Sequence, residues 1–138
     1  MKMRKNKCLI DTSALIALND VSDQYHDQAK QLASSLTGQE LIVTDAILTE
    51  TYTLLRYRMG YKVAHHFLKT VLEEDEFMVA EVTPSLRSSA LQLLTKFNDQ
   101  KISYCDALSV VIMKELGIRK IFSFDRHFEI MGMNGIDS

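Results

Sequence analysis

Cys8-Leu9-Ile10-Asp11-Thr12-Ser13-Ala14-Leu15-Ile16-Ala17-Leu18 is the stretch that decides the fold. Its first three residues are a short apolar run, Asp11 ends that run, and the hydroxyls of Thr12 and Ser13 suit the opening of a helix. The order is strand, carboxylate, helix. The same unit recurs downstream, where Leu41-Ile42-Val43 is a strand candidate, Thr44 or Asp45 can cap the helix that runs to about Arg58, and Gly60 stands at its end.

The intervening segments keep the alternation. Residues 25–36 carry a helical period through Ala29, Leu32, Ala33 and Leu36 before Gly38 stops it, and residues 61–74 carry another through Val63, Ala64, Phe67, Leu68, Val71 and Leu72. A β-rich run follows at 77–82. Thr83-Pro84 places a capping hydroxyl before a proline at the first helical position. Ser103 caps the next helix and Gly117 ends it, ahead of the strand Lys120-Ile121-Phe122-Ser123 and a short strand within 133–136. Alternating short apolar strands and helices predict an α/β fold, a three-layer α/β/α sandwich around a central, mostly parallel sheet of four or five strands.

With 138 residues, 46% of them hydrophobic and 25% charged, the chain has the composition of one globular domain spanning residues 1–138. Sixteen Lys and Arg against eighteen Asp and Glu leave a net charge of -2, which excludes a partner held by bulk positive charge. Local basic patches remain, the clearest being Lys2, Arg4, Lys5 and Lys7, which also reads as a solvated tail. Cys8 and Cys105 have no CxxC or Cys/His spacing for zinc and read as reduced core thiols. No segment approaches the roughly 20 apolar residues of a membrane span, so the expectation is a cytoplasmic protein with no membrane partner.

Four acids stand where solvated charges are out of place. Asp11 and Asp125 each follow a strand candidate, and in such sheets ligands bind at the carboxyl ends of the strands. Glu50 shares a helical stripe with Ile47 and Leu54, where a carboxylate loses hydration unless it is paired or bound to a cation. Asp106 begins the helix after Ser103. Each has an ordinary reading as well: Asp11 as an N-cap, Glu50 in a salt bridge to Arg56 or Arg58, Asp106 as the return arm of a capping box, Asp125 as a turn former. Taken together, converging carboxylates raise one another's pKa, and a site that keeps them ionised needs a divalent cation. An oxygen-only donor set fits magnesium or manganese, and such a centre suits phosphodiester hydrolysis.

At these residues the chain resembles the PIN-domain nucleases, especially the small ribonuclease toxins of the VapBC type. The matching pieces are Leu9-Ile10-Asp11-Thr12-Ser13-Ala14-Leu15, Thr44-Asp45-Ala46-Ile47-Leu48-Thr49-Glu50-Thr51, Tyr104-Cys105-Asp106-Ala107-Leu108 and Ile121-Phe122-Ser123-Phe124-Asp125-Arg126-His127-Phe128, in order over nearly the whole chain. The resemblance implies a Mg2+- or Mn2+-dependent endoribonuclease, usually a homodimer, inhibited by a cognate antitoxin that inserts into its groove. It implies Asp11 and Asp106 as principal metal ligands and catalytic residues, Glu50 and Asp125 completing the acidic pocket, and Ser13 and Ser123 as hydroxyls that orient them. Some relatives carry another acid shortly after the last aspartate, whereas Arg126-His127-Phe128 follows here, which leaves the number of metals open. Arg56, Arg58, Lys62 and Arg126 are candidate RNA-backbone contacts, and Tyr52, Tyr57 and Tyr61 candidate stacking or packing aromatics. His127 reads as a surface or packing histidine.

Two other classes share parts of this pattern. A haloacid-dehalogenase-like phosphotransferase also starts on a strand-borne aspartate, but it needs a second aspartate two residues on, where this chain has Ser13. A non-catalytic RNA- or protein-binding module has no need to keep four mutually repelling carboxylates together.

Overall fold

The computed structural model describes residues 6–136; Lys2, Arg4 and Lys5 of the N-terminal basic run lie outside the described residues. Lys7 of that run sits 3.8 Å from the Glu40 carboxylate.

Strands β1 (Lys7–Ile10), β2 (Glu40–Thr44), β3 (Phe77–Ala80), β4 (Lys120–Phe122) and β5 (Asn134–Gly135) form one sheet in the order β3-β2-β1-β4-β5. Every pairing is parallel, with Leu9 opposite both Ile42 and Ile121. Parallel strands are covered on both faces and so read as continuous apolar runs. Cys8, Leu9, Ile10, Ile42, Val43, Ile121 and Phe122 are accordingly buried. From β1 the chain moves one way to β2 and β3, then returns past β1 to β4 and β5. The order reverses between β1 and β4, which is where open α/β sheets leave a crevice at the carboxyl ends.

Helix α1 (Thr12–Asn19) packs on both α2 (His26–Ser34) and α3 (Asp45–Met59), and α3 packs in turn on α4 (Tyr61–Glu73). Helices α5 (Pro84–Lys96) and α6 (Tyr104–Leu116) pair with each other, and α7 (His127–Ile130) is a single turn. Every residue from Ala107 to Met113 is buried, Ser109 included, so the middle of α6 is enclosed all round while its two ends reach the surface. The expected caps are in place: Thr44 accepts from the Ile47 N–H, Thr83 from Leu86 and Ser103 from Asp106.

The elements differ from expectation at three ends. α2 stops at Ser34 rather than near Leu36, because Ser35 and Leu36 donate to carbonyls three residues back and the Ser34 and Ser35 hydroxyls bind Gln31 and Leu32 carbonyls at 2.6 Å. β3 ends at Ala80, not Val82, since its partner in the ladder, Thr44, is already the cap of α3. β4 stops at Phe122, which frees Ser123 for the site described next.

Candidate metal centre

The reversal point between β1 and β4 is occupied by Asp11. Its N–H extends the ladder to the Phe122 carbonyl at 3.2 Å, and its side chain caps α1, accepting from the Ala14 N–H at 3.2 Å. Ser13 Oγ donates to Asp11 Oδ1 and Ser123 Oγ to Oδ2, both at 2.8 Å. Each hydroxyl has one proton, and each gives it to Asp11. Their lone pairs are used as well: Ser13 accepts from the Phe124 N–H at 2.8 Å and Ser123 from the Asp125 N–H at 2.9 Å. The carboxylate is thereby fixed at once from α1 and from the segment that follows β4. Burial pushes its pKa up to about 6, against the lowering effect of Ser13, Ser123 and Ala14.

Asp106 heads α6 in a reciprocal capping box: its N–H donates to Ser103 Oγ at 3.0 Å, and its Oδ2 accepts from the Ser103 N–H at 3.3 Å. The ordinary reading of Asp106 as a cap is thus present together with its place in the cleft. Burial raises its pKa, and the charges of Asp125 and Glu50 add to the rise, while the Ser103 bonds oppose it. Asp125 accepts from the His127 N–H at 2.9 Å and lies 3.0 Å from His127 Nδ1.

Glu50 departs from its expected setting. The apolar stripe of α3 buries Ile47, Leu48, Thr51 and Leu55, and Glu50 lies at its flank, exposed on the wall of the cleft instead of immersed among apolar neighbours. Its expected alternative partner is elsewhere, because Arg58 Nη1 lies 3.9 Å from Asp20 and 3.8 Å from Asp23. Asp11, Glu50, Asp106 and Asp125 together line one cleft of about 320 Å³, with Ser13, Cys105 and Arg58. Arg58 is the one Lys or Arg on that lining among the described residues.

Asp23 also lines the cleft and, with Asp20, takes its single cation, Arg58, so the other four carboxylates make a donor set that fits a divalent metal. A model of the PIN domain matches residues 8–132. The chain belongs to the PIN domain family. This PIN domain is 32% identical over 127 residues to a protein of Mycobacterium tuberculosis named 23S rRNA-specific endonuclease VapC20, covering 89% of this chain and 92% of that protein. It is 29% identical over 126 residues to a VapC ribonuclease of Archaeoglobus fulgidus, covering 88% and 79%. Among solved structures, that of Mycobacterium tuberculosis VapC20, described as a sarcin-ricin loop cleaving toxin, superposes with a TM-score of 0.85 at 28% identity, over 91% of this chain and 95% of that one. The expected recognition as a VapC-type PIN domain, and the α/β fold with its parallel sheet, are borne out.

The PIN domain also holds features that the residue pattern did not flag. Cys105 is half-buried on the cleft rather than in the core, and burial, with the charges of Glu50, Asp106 and Asp11, pushes its thiol up to about 12, so it stays neutral. His127 is partly exposed and packs against Asp125, and one ligand atom each from Asp106, Asp125 and His127 lie within 4.8 Å of one another. The Asp125-x-His127 spacing across a turn was the available signal. A buried Thr51–Thr12 hydroxyl bond of 3.2 Å ties α3 to α1 beneath the cleft; nothing in the residue types marks it. Tyr57 and Tyr61 are exposed, and Tyr52 packs partly against the core. Arg56, Lys62 and Arg126 are exposed. No helix among the described residues is long and apolar enough to cross a membrane.

Proposed function

We propose that this chain is a VapC-type toxin, an endoribonuclease that hydrolyses RNA phosphodiester bonds with Mg2+ or Mn2+ held by Asp11 and Asp106, with Glu50 and Asp125 completing the site. The observation that carries the reading is Asp11 itself: a buried carboxylate with both oxygens already oriented by serine hydroxyls, facing three more acids across an open cleft. Hydrogen bonds that fix a ligand's orientation are the usual support of a metal carboxylate.

When bound, the cation polarises the phosphoryl oxygen and makes a water acidic enough to attack phosphorus. The chain's residues do the rest. Ser13 and Ser123 hold Asp11 in one rotamer; Ser103 holds Asp106. Glu50, exposed on the cleft wall, and Asp125, aimed by its bonds to His127, orient the attacking water. Arg58, with Arg126 beyond the cleft, takes backbone phosphates, and Arg56 and Lys62 extend that track along α3 and α4.

As a VapC-type protein the chain works in the cytoplasm against an RNA substrate, with an antitoxin that occupies the cleft, and it pairs with a second copy. Tyr57 and Tyr61, 85% and 54% exposed where α3 meets α4, offer apolar surface for that pairing. Light scattering of the purified protein reads the pairing directly.

The test of the activity is cleavage of a cellular RNA pool that includes ribosomal RNA, with Mg2+ or Mn2+, beside EDTA and an Asp11→Asn variant. Metal-dependent cutting that the variant lacks supports the reading, and sequencing the fragments names the target. A folded protein that binds metal and cuts nothing turns the assignment toward a non-catalytic PIN-fold binding module.

A further inference from the structure

Three aromatic rings run in series from the core to the cleft. Phe122, fully buried on β4, meets Phe124 edge-on, with centroids 6.0 Å apart and planes at 66°. Phe124 in turn stacks on Tyr25, with centroids 4.5 Å apart and planes within 3°. Tyr25 is the outermost ring and is 37% exposed. A ring pair that served packing alone would gain by burying this last ring as well.

Its place is informative. Tyr25, Phe124 and Asp125 line the acidic cleft of about 320 Å³ and also a second depression of about 400 Å³, so the stacked pair is the ridge between them. Arg58 lies on the first hollow and Arg126 on the second, which puts one cation on each side of the ridge. Gln24, next to Tyr25 on the first lining, brings an amide able to donate and accept. Phe124 is also tied to the metal centre, since its N–H donates to the Ser13 hydroxyl that holds Asp11.

We infer that the Tyr25–Phe124 pair is a stacking platform for the nucleobase beside the scissile phosphate. The inference rests on the ribonuclease reading and deepens it. A base inside a duplex has both faces covered, whereas a base in a loop or single strand can lie on an aromatic ring. The strand crosses the ridge with its phosphates near Arg58 and Arg126, its base on the ring, and the intervening phosphate above the carboxylates. The rigid stack below Tyr25 means that the ring is already oriented before RNA arrives.

The test uses the RNA fragment that the wild-type protein cleaves and copies of it with an abasic sugar on either side of the cut. Tyr25→Leu is expected to raise KM about tenfold with kcat little changed, and Tyr25→Phe to behave as wild type. One abasic substrate is expected to raise the wild-type KM by the same factor and to add nothing in Tyr25→Leu, because the partner is already gone. An unchanged KM in Tyr25→Leu, or abasic and leucine effects that multiply, would overturn the platform while leaving the nuclease standing. A wild-type protein that cleaves no RNA sinks both. Should Tyr25→Leu fail to fold, Tyr25→Trp reads the same contact, since the chain has no other tryptophan: its emission should be quenched by intact RNA and not by the abasic copy, and equal responses would reject the platform.

Discussion

At the scale of single residues, Asp11 caps α1 with its side chain, extends the sheet with its N–H and is the proposed metal ligand, and burial raises its pKa. Its folded value of about 6 lies above the reference of 3.8. Between those values the folded chain holds more protons than the unfolded one, so stability falls as pH rises from 3.8 to about 6 and stays reduced above it. The shift corresponds to roughly 3 kcal/mol. Asparagine can keep the cap without the charge. In EDTA at pH 7.5, Asp11→Asn should therefore unfold at higher urea than the wild type, by up to about 3 kcal/mol, and the gap should close near pH 4. An equal gap at both pH values would assign the effect to something other than ionisation. Cation binding needs the same carboxylate ionised, so calorimetric Mg2+ affinity should fall about tenfold per pH unit below 6.

At the scale of elements, two positions connect local conformation to the cleft. Gly60, between α3 and α4, has φ 93° and ψ 177°, a region essentially reserved for glycine, with open space where a Cβ would go. Gly60→Ala should cost about 1–3 kcal/mol through the backbone alone, read as a lower urea midpoint with an unchanged slope. Ser103→Ala removes the hydroxyl that caps α6 but keeps the Ser103 N–H that binds the Asp106 carboxylate. About 1 kcal/mol of stability should go with Mn2+ binding by calorimetry little changed; a marked loss of binding would show that the hydroxyl also positions Asp106. These elements were legible because strands buried on both faces leave unbroken apolar runs, and Thr44, Thr83 and Ser103 carry cap chemistry in their types. The placement of the candidate site along the chain was legible for the same reason: Asp11 and Asp125 follow strands. What was not legible depended on rotation and on distant partners. The α3 stripe predicted a buried Glu50, but a helix face says nothing of whether its edge meets protein or a cleft. Tyr25 reads as the start of a helix until Phe124, 99 positions later, is laid beneath it.

At the scale of the whole molecule, a net charge of -2 means that RNA binding rests on few cations. With about four phosphate contacts, at Arg58, Arg126, Arg56 and Lys62, log affinity should fall with log salt at a slope of roughly -2.8, and Arg126→Ala should flatten it by about 0.7. A slope beyond about -4 would mean that basic residues other than these also take phosphates. The sheet order has a different consequence. Asp11 directly follows the first strand to be made, while the hydroxyl that fixes its second oxygen is on Ser123, 112 residues later. At roughly 5–20 residues per second a ribosome takes on the order of 6–20 seconds to travel between them. Throughout that interval β4 does not exist, and the nascent polypeptide is unarmed. The cleft is therefore completed only when nearly all of the described chain has been made.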